Sequence, residues 1–460
     1  MTDTVKIISP VDGSVYAERP VAGGAEIETA LSRAKAARKA WGEVTVRERA
    51  KFLEHFGEAM LGKNDEIVPE LAWQMGRPVR YKNEMRGLEE RSRHMIAIAE
   101  ESLAPSPRPD KPGFKRWIGR EPLGTVMVIA PWNYPFLTAC NSIVPALMAG
   151  NAVILKHATQ TLLVGERFAD AMRAAGLPEG LFQNLVLSHA DTERVIASGA
   201  IDHINFTGSV EGGRRIERAA AGTFASLGLE LGGKDPAYVR PDAKLDHAIE
   251  NLVDGSFFNS GQSCCGVERI YVHSDVYDKF VEGFVAVSKG WTLGNPLDLD
   301  TVVGPMAAPK FADLVREQTA EALRKGATAH LHTRYKDDKA GSPYLAPEVL
   351  TDVNHQMAVM REESFGPVIG IMKVADDDEA VTLMNDSPYG LTASIWTDDL
   401  DAAARIGARV ETGTVYANRC DYLDPALVWT GVKETGKGGA LSEIGYQNLT
   451  QPKSYHLRQL

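Results

Sequence analysis

Thr125-Val-Met-Val-Ile-Ala130 is followed by a helical pattern over Thr138–Ala149 and then by Ala152-Val-Ile-Leu155. Each short run is apolar without alternation and rich in branched side chains, which fits a strand buried on both faces. The rhythm continues with a helix over Leu162–Ala175 and strands at Phe182–Leu187 and His203–Phe206. Strand and helix in alternation predict a parallel sheet covered on both sides. A second set starts at Ala237–Val239, goes on through a helix over Leu245–Phe258, a strand at Arg269–Val272 and a helix from Val276, and runs to about Val415. The fold class is therefore α/β with a second α/β domain. No segment recurs at a fixed period, which excludes solenoids and propellers.

Upstream, the first hundred residues read as helix after helix. Ile27, Leu31, Ala34, Ala37 and Trp41 form one stripe among charged residues. Thr45 and Glu48 have capping-box spacing, and Phe52, Leu53, Phe56 and Met60 form the buried face that follows. Between the helices and the first strand, Ala104-Pro-Ser-Pro-Arg-Pro-Asp-Lys-Pro-Gly113 cannot be helix interior and is an extended connection or arm. Thr450–Leu460, after a glycine-rich stretch, reads as a terminal strand.

With 460 residues, 44% of them hydrophobic, the chain can bury two or three cores, and disorder or a collagen-like structure is excluded. The net charge of -11 without a basic stretch argues against nucleic acid and anionic membranes as partners. A phosphate remains possible, because backbone amides at a helix start bind one without net charge. The four cysteines, two of them adjacent, make no disulfide framework and suit a reducing, cytoplasmic compartment. No signal peptide is evident, and no apolar run approaches the ~18 residues of a membrane span.

Four segments carry chemistry. Phe206-Thr-Gly-Ser209-Val-Glu-Gly-Gly213 opens a helix directly after a strand, where glycines let backbone amides approach a pyrophosphate. Its spacing is not that of the dinucleotide fingerprint, and a tight turn that binds nothing fits as well. Gly261-Gln-Ser-Cys264-Cys265 offers a thiol nucleophile, or two inert core cysteines. Adjacent cysteines without a histidine-rich neighbourhood argue against a metal site. Glu230, in Leu229-Glu-Leu-Gly-Gly-Lys-Asp235, is a candidate general base, or an ion-pair partner of Lys234 or Arg269. Asn133, in Ala130-Pro-Trp-Asn-Tyr-Pro-Phe136, is an amide held between prolines that suits an oxyanion, or an Asx turn.

Taken in this order, and with Pro145–Lys156, Glu362-Glu-Ser-Phe-Gly-Pro-Val368 and Asn385-Asp-Ser-Pro-Tyr-Gly-Leu391, these segments resemble the aldehyde dehydrogenase superfamily over essentially the whole chain. The resemblance implies a Rossmann-like cofactor domain (1–103 and 123–232), an α/β catalytic domain (233–432), and a small β oligomerisation arm with a C-terminal strand (104–122 and 433–460). It makes Cys264 the nucleophile, Glu230 the activator of water and Asn133 an oxyanion donor together with the Cys264 backbone amide. The separation 264 − 230 = 34 fits the family pattern. It further implies NAD as cofactor, held by Trp132, Lys156, Thr159, Gly208, Ser209, Leu231, Glu363 and Phe365, with no metal. The partners implied are a small-molecule aldehyde and further copies of the chain, as a homodimer or homotetramer.

Three departures from the family pattern bear on specificity. Where relatives have a ribose-gripping glutamate, this chain has Thr159, in Lys156-His-Ala-Thr159, which removes the repulsion of a 2′-phosphate and opens the site to NADP. A Pro-Phe-Gly-Gly segment is replaced by Val428-Trp-Thr-Gly-Val432, which puts Trp429 and the Asn418–Asp424 loop at the mouth of the substrate funnel. Semialdehyde-acting relatives carry an arginine at the position of Asn141. Asn141 and Thr138 therefore predict a polar tunnel without a carboxylate clamp, favouring neutral or amine-bearing aldehydes unless Arg419 turns inward. A CoA-acylating enzyme of the same fold is the nearest rival, and the presence of Glu230 argues against it. A cysteine hydrolase lacks a histidine in motif context, and a non-catalytic protein would not need Cys264, Glu230 and Asn133 together.

Overall fold

Two central sheets organise the molecule, and they meet end to end. In the computed structural model, which describes residues 3–331 and 335–460, the first sheet has the strand order Gly436–Lys437, Ser226–Glu230, His203–Thr207, Thr125–Ala130, Ala152–His157, Phe182–Asn184. All pairings are parallel except that of Gly436–Lys437, which returns antiparallel along the edge. Thr125–Ala130 and Ala152–His157 are buried along their whole length, as their unbroken apolar runs require. From Thr125–Ala130 the chain builds outward to Phe182–Asn184, then crosses back to lay His203–Thr207 on the other side. That reversal opens a crevice beyond the carboxyl ends of the strands, the place where α/β sheets receive ligands.

The second sheet runs Thr328–Ala329, Glu348–Thr351, Val368–Val374, Val267–His273, Asp235–Val239, Thr392–Trp396, Thr414–Ala417, parallel except at its first pair. Cys264 and Phe365 stand just before Val267–His273 and Val368–Val374, so this sheet presents its amino ends where the first presents its carboxyl ends. The two sheets have separate cores, one around Met127, Ile154 and Phe168, the other divided between Tyr238 and Ile395 on one face and Val253 and Ile270 on the opposite one.

The amino-terminal region corrects the all-helical expectation. An antiparallel hairpin, Thr4–Ile8 with Val15–Pro20, precedes the first helix. Its turn uses the Asp12 carboxylate, which accepts from the Ser14 amide at 2.9 Å, and Gly13 at φ +79°, a conformation that costs glycine little. Helices Gly24–Glu43, Val46–Leu61, Asn64–Met75 and Glu84–Ser102 follow. The Thr45–Glu48 capping box forms at the start of the second, and Leu53, Phe56 and Met60 are fully buried. The strand expected over Phe182–Leu187 stops at Asn184, because the Val186 carbonyl turns to accept from the Ala22 amide at 2.8 Å. The proline-dense stretch contributes only Ser106–Pro107 to a three-stranded antiparallel sheet completed by Phe114–Pro122 and Thr450–Arg458. Among the described residues no helix is long and apolar enough to cross a membrane.

Candidate active site

Cys264 follows a loop that is expensive to build. Asn259 and Ser260 adopt left-handed backbone (φ 54° and 59°), and Gly261 at φ +69° lies so close to Gly366 that a Cβ would collide with it. Side chains hold the loop against this strain. Gln262 donates to the Asn259 carbonyl at 3.1 Å and accepts from the Ala307 amide at 2.8 Å, and the Ser260 hydroxyl donates to the Gly304 carbonyl at 2.9 Å. The result presents Cys264 partly exposed while Cys265 turns into the core. Cys265 Sγ donates to Asp421 Oδ1 at 2.9 Å. The neighbouring Cys264 side chain, burial and the Asp421 carboxylate together push the Cys265 thiol well above its ordinary range, so it stays protonated. Of the two cysteines, Cys264 alone is partly open to a ligand.

Asn133 is brought to this loop by a buried network that the sequence did not announce. Pro135 starts the Pro135–Met148 helix, and no side chain of its own first turn caps it. The cap comes from another helix: Glu84 Oε1 accepts from the amides of Phe136 at 2.9 Å and Leu137 at 3.3 Å. Glu84 is ion-paired with Arg77, and both side chains are almost wholly buried. The same guanidinium donates to the Asn133 carbonyl and to Asn259 Oδ1, and Asn259 Nδ2 also donates to the Asn133 carbonyl at 3.2 Å. The backbone of Asn133 is thus clamped to the cysteine loop. Its side-chain amide, 4% exposed, takes no partner among the described residues and remains available to a ligand oxygen.

Glu230 ends its strand beside Thr207, whose hydroxyl donates to Glu230 Oε2 at 3.2 Å. Burial pushes the carboxyl up to about 7, opposed by the Thr207 hydrogen bond and the Arg91 charge. The ion pair with Lys234 or Arg269 does not form. Lys234 instead donates to Glu268 at 2.6 Å, and Arg269 donates to the carbonyls of Lys234 and Met384. Glu230 is therefore an unpaired carboxyl near neutrality, which suits a general base. Three residues on, Gly233 packs directly on the Cys264 carbonyl, joining the two segments.

Of the expected cofactor residues, Lys156, Thr159, Gly208, Ser209 and Leu231 stand at or just after the carboxyl ends of strands of the first sheet. Lys156, at the end of its strand, is 7% exposed and has no ion-pair partner among the described residues, and burial lowers its pKa. Thr159 is exposed at the turn that follows. Gly208 donates its amide to the Glu230 carbonyl at 3.0 Å, and Ser209 caps the Val210–Ala220 helix through the Gly212 amide at 3.2 Å. Leu231 is buried against Gly213. Across the crevice Glu363 accepts from the Gly233 amide at 2.9 Å, and burial with the nearby Glu268 charge raises it to about 7. Neither Lys156 nor Glu363 is a solvated surface charge. Phe365, at φ +47°, is pinned by its amide to Glu268 Oε1 at 2.9 Å and meets Trp132 edge-on, ring centroids 5.5 Å apart. Buried Glu268, between Lys234 and the amides of Ser364 and Phe365, holds this segment in its strained form.

On the substrate side, Trp429 is 5% exposed and bridges to Ala440, so it belongs to the first core rather than to an open mouth. The loop before it reaches the residues on either side of Cys264 through Asp421, which accepts from Ser263 Oγ at 3.0 Å as well as from Cys265. Arg419 does not turn inward; it is exposed and lies over the Tyr422 ring at 3.6 Å. Asn141 is buried, and its Oδ1 accepts from Arg91 at 3.2 Å. Arg77, Glu84, Arg91 and Glu268 have no motif that would mark them in a single sequence. Asn259 lies two residues before Gly261, and a longer reading of that segment would have reached it.

The aldehyde dehydrogenase family model matches residues 1–455. A succinate-semialdehyde dehydrogenase [NADP(+)] of Mycobacterium avium is 33% identical over 454 residues, covering 98% of this chain and 96% of that one. An aldehyde dehydrogenase of Paenarthrobacter nicotinovorans is 34% identical over 433 residues, covering 93% and 94%. The crystal structure of an NAD-dependent aldehyde dehydrogenase from Sinorhizobium meliloti superposes with a TM-score of 0.95 at 30% identity, over 99% of this chain and 92% of that one. With the family model spanning nearly every residue, and relatives alike in sequence and in fold, the chain belongs to the aldehyde dehydrogenase family.

Proposed function

We propose that this enzyme oxidises an aldehyde to its carboxylic acid with NAD(P)+ and water, through a thioester on Cys264. The observation that carries the reading is the convergence of a partly exposed cysteine, an unpaired buried amide and a carboxyl raised to about 7 on segments that bond to or pack on the cysteine loop. The dinucleotide fits the residues present. A buried, unpaired Lys156 ammonium suits ribose oxygens, the capped helix start at Ser209 suits a pyrophosphate, and Glu363 suits a second ribose. No acid stands at exposed Thr159 to repel a 2′-phosphate, which favours acceptance of NADP beside NAD, in line with the names of the relatives. In this reading residues 1–103 and 123–232 hold the cofactor, 233–432 carry the nucleophile, and 104–122 with Thr450–Arg458 serve assembly, while 433–449 returns to the edge and core of the first sheet.

Cys264 Sγ attacks the aldehyde carbon, and the carbonyl pair moves to oxygen. The Asn133 side-chain amide and the Cys264 backbone amide hold that oxyanion. The bound nicotinamide supplies the hydride acceptor. As the oxyanion collapses, the hydride leaves carbon and a thioester to Cys264 remains. Glu230 then takes a proton from water, the hydroxide attacks the thioester carbon, and the acid departs with cleavage of the C–S bond. Following reduced-cofactor absorbance with a panel of neutral, cationic and anionic aldehydes, with NAD and with NADP, tests this reading. Failure of every aldehyde with both cofactors would overturn it.

A further inference from the structure

Position 141 by itself predicts a tunnel without a cation, but the fold puts one there from another element. Arg91, on the Glu84–Ser102 helix, donates Nη1 to Asn141 Oδ1 and to the Leu137 carbonyl, both at 3.2 Å. It is half-buried, and among the described residues no carboxylate is ion-paired with it. Its helix neighbours are engaged: Arg93 pairs with Glu89, and Glu90 accepts from the Tyr422 hydroxyl at 3.1 Å. A half-buried guanidinium with only neutral oxygens as hydrogen-bond partners keeps donors free for an anion. Asn141 gives a second, independent sign. Its Oδ1 is taken by Arg91, while its buried Nδ2 has no acceptor, a donor left without the bond that such groups almost always make.

The placement suits a substrate held at both ends. Asn141 stands six residues into the helix that begins at Pro135, roughly 9 Å along its axis from the end beside Asn133, and Arg91 bridges the last turn of that span. Its charge also reaches Glu230 and Asp421, which places it on the catalytic side of the helix. Asp421, whose Oδ1 accepts from Ser263 and Cys265, forms no ion pair with it among the described residues. Arg419, the other cation in sequence range, is stacked on Tyr422.

We propose that Arg91 is the specificity-determining cation of the tunnel and binds the far carboxylate of a short aldehyde acid of the succinate semialdehyde type. The inference rests on the aldehyde dehydrogenase reading above and reverses the preference for neutral or amine-bearing aldehydes that position 141 suggested.

The test compares kcat/KM for succinate semialdehyde with that for butanal. The wild type favours the anion. Arg91→Gln lowers the ratio by about 30- to 100-fold, mainly through KM for the anion, as expected when one partner of a desolvated charge pair is removed. Arg91→Lys, which keeps the charge and loses the fork, recovers part of the ratio, and Arg91→Gln combined with Asn141→Arg restores it from the neighbouring helix. Inhibition of butanal oxidation by succinate, stronger than by butyrate in the wild type, reads the same contrast without a variant. A wild type that prefers butanal, or an equal loss on both substrates in Arg91→Gln, overturns the role of Arg91 and leaves the aldehyde reading standing. Absence of any aldehyde oxidation overturns that reading instead.

Discussion

At the residue scale, two cysteines of identical covalent chemistry are separated by what each one touches. Cys265 donates its proton to a buried carboxylate, and a serine in its place keeps a donor to Asp421. Cys264 has no such anchor, and a serine there lacks a base that would activate it. Cys264→Ser is expected to abolish dehydrogenase activity, at least ~10³-fold in kcat, whereas Cys265→Ser keeps most of it. Equal losses would show that the nucleophile is misassigned. The carboxyl at 230 gives a second contrast, because it is assigned to the step after hydride loss. Glu230→Gln is expected to retain a rapid burst of reduced cofactor followed by a slow steady state, visible by stopped flow. In the wild type the steady rate rises with pH as Glu230 loses its proton near 7, and the variant has no such rise through that range. Loss of burst and steady state together would move Glu230 to activation of the thiol.

At the scale of elements, what was legible in the sequence and what was not divide along a physical line. Buried strands such as Ala152–His157 declare themselves through unbroken apolar runs, and the segments around Cys264, Glu230 and Asn133 through local composition. The amino-terminal hairpin was missed because Thr4–Ile8 is short and mostly exposed, with little apolar periodicity to read. The trans cap at Pro135 was missed for a different reason: Glu84 and Phe136 are joined only by the tertiary fold. Arg91 belongs to that second class, since its meaning depends on Asn141 fifty residues away. The Arg77 fork, which ties the Pro135–Met148 helix to the cysteine loop, can be tested directly. Arg77→Lys keeps the charge facing Glu84 but cannot reach Glu84, the Asn133 carbonyl and Asn259 at once. We expect a stability loss on the order of 2–4 kcal/mol, read by denaturant unfolding, and a fall in kcat that exceeds any rise in cofactor KM. A kcat unchanged in a folded variant would show that the clamp on Asn133 is not needed for the chemistry.

For the whole molecule, the groups assigned to the proposed chemistry lie where the carboxyl ends of one sheet face the amino ends of another, and burying them there works against stability. Groups that the proposed reaction assigns to catalysis and cofactor binding are buried without full compensation: Glu230 and Glu363 are both raised to about 7, and Lys156 is lowered by burial. A carboxyl whose pKa rises on folding, from an ordinary value near 4.5 to about 7, favours the folded state while it is protonated. Its contribution is fully present below the unfolded value and is lost as pH rises through the folded one. Between about 4.5 and 7 the unfolded chain ionises Glu230 while the folded one resists, so the stability falls across that window, whereas a glutamine of the same shape is neutral throughout. At about pH 3.5, below the unfolded value, the wild type and Glu230→Gln should melt together, because the carboxyl is then protonated in both the folded and the unfolded chain. At pH 8 the inactive variant should be the more stable one, by about 1–3 kcal/mol given a shift of this size. Thermal unfolding at the two pH values decides the matter. A variant that melts below the wild type at pH 8 would mean that the Glu230 carboxylate is stabilised in the folded protein rather than tolerated there.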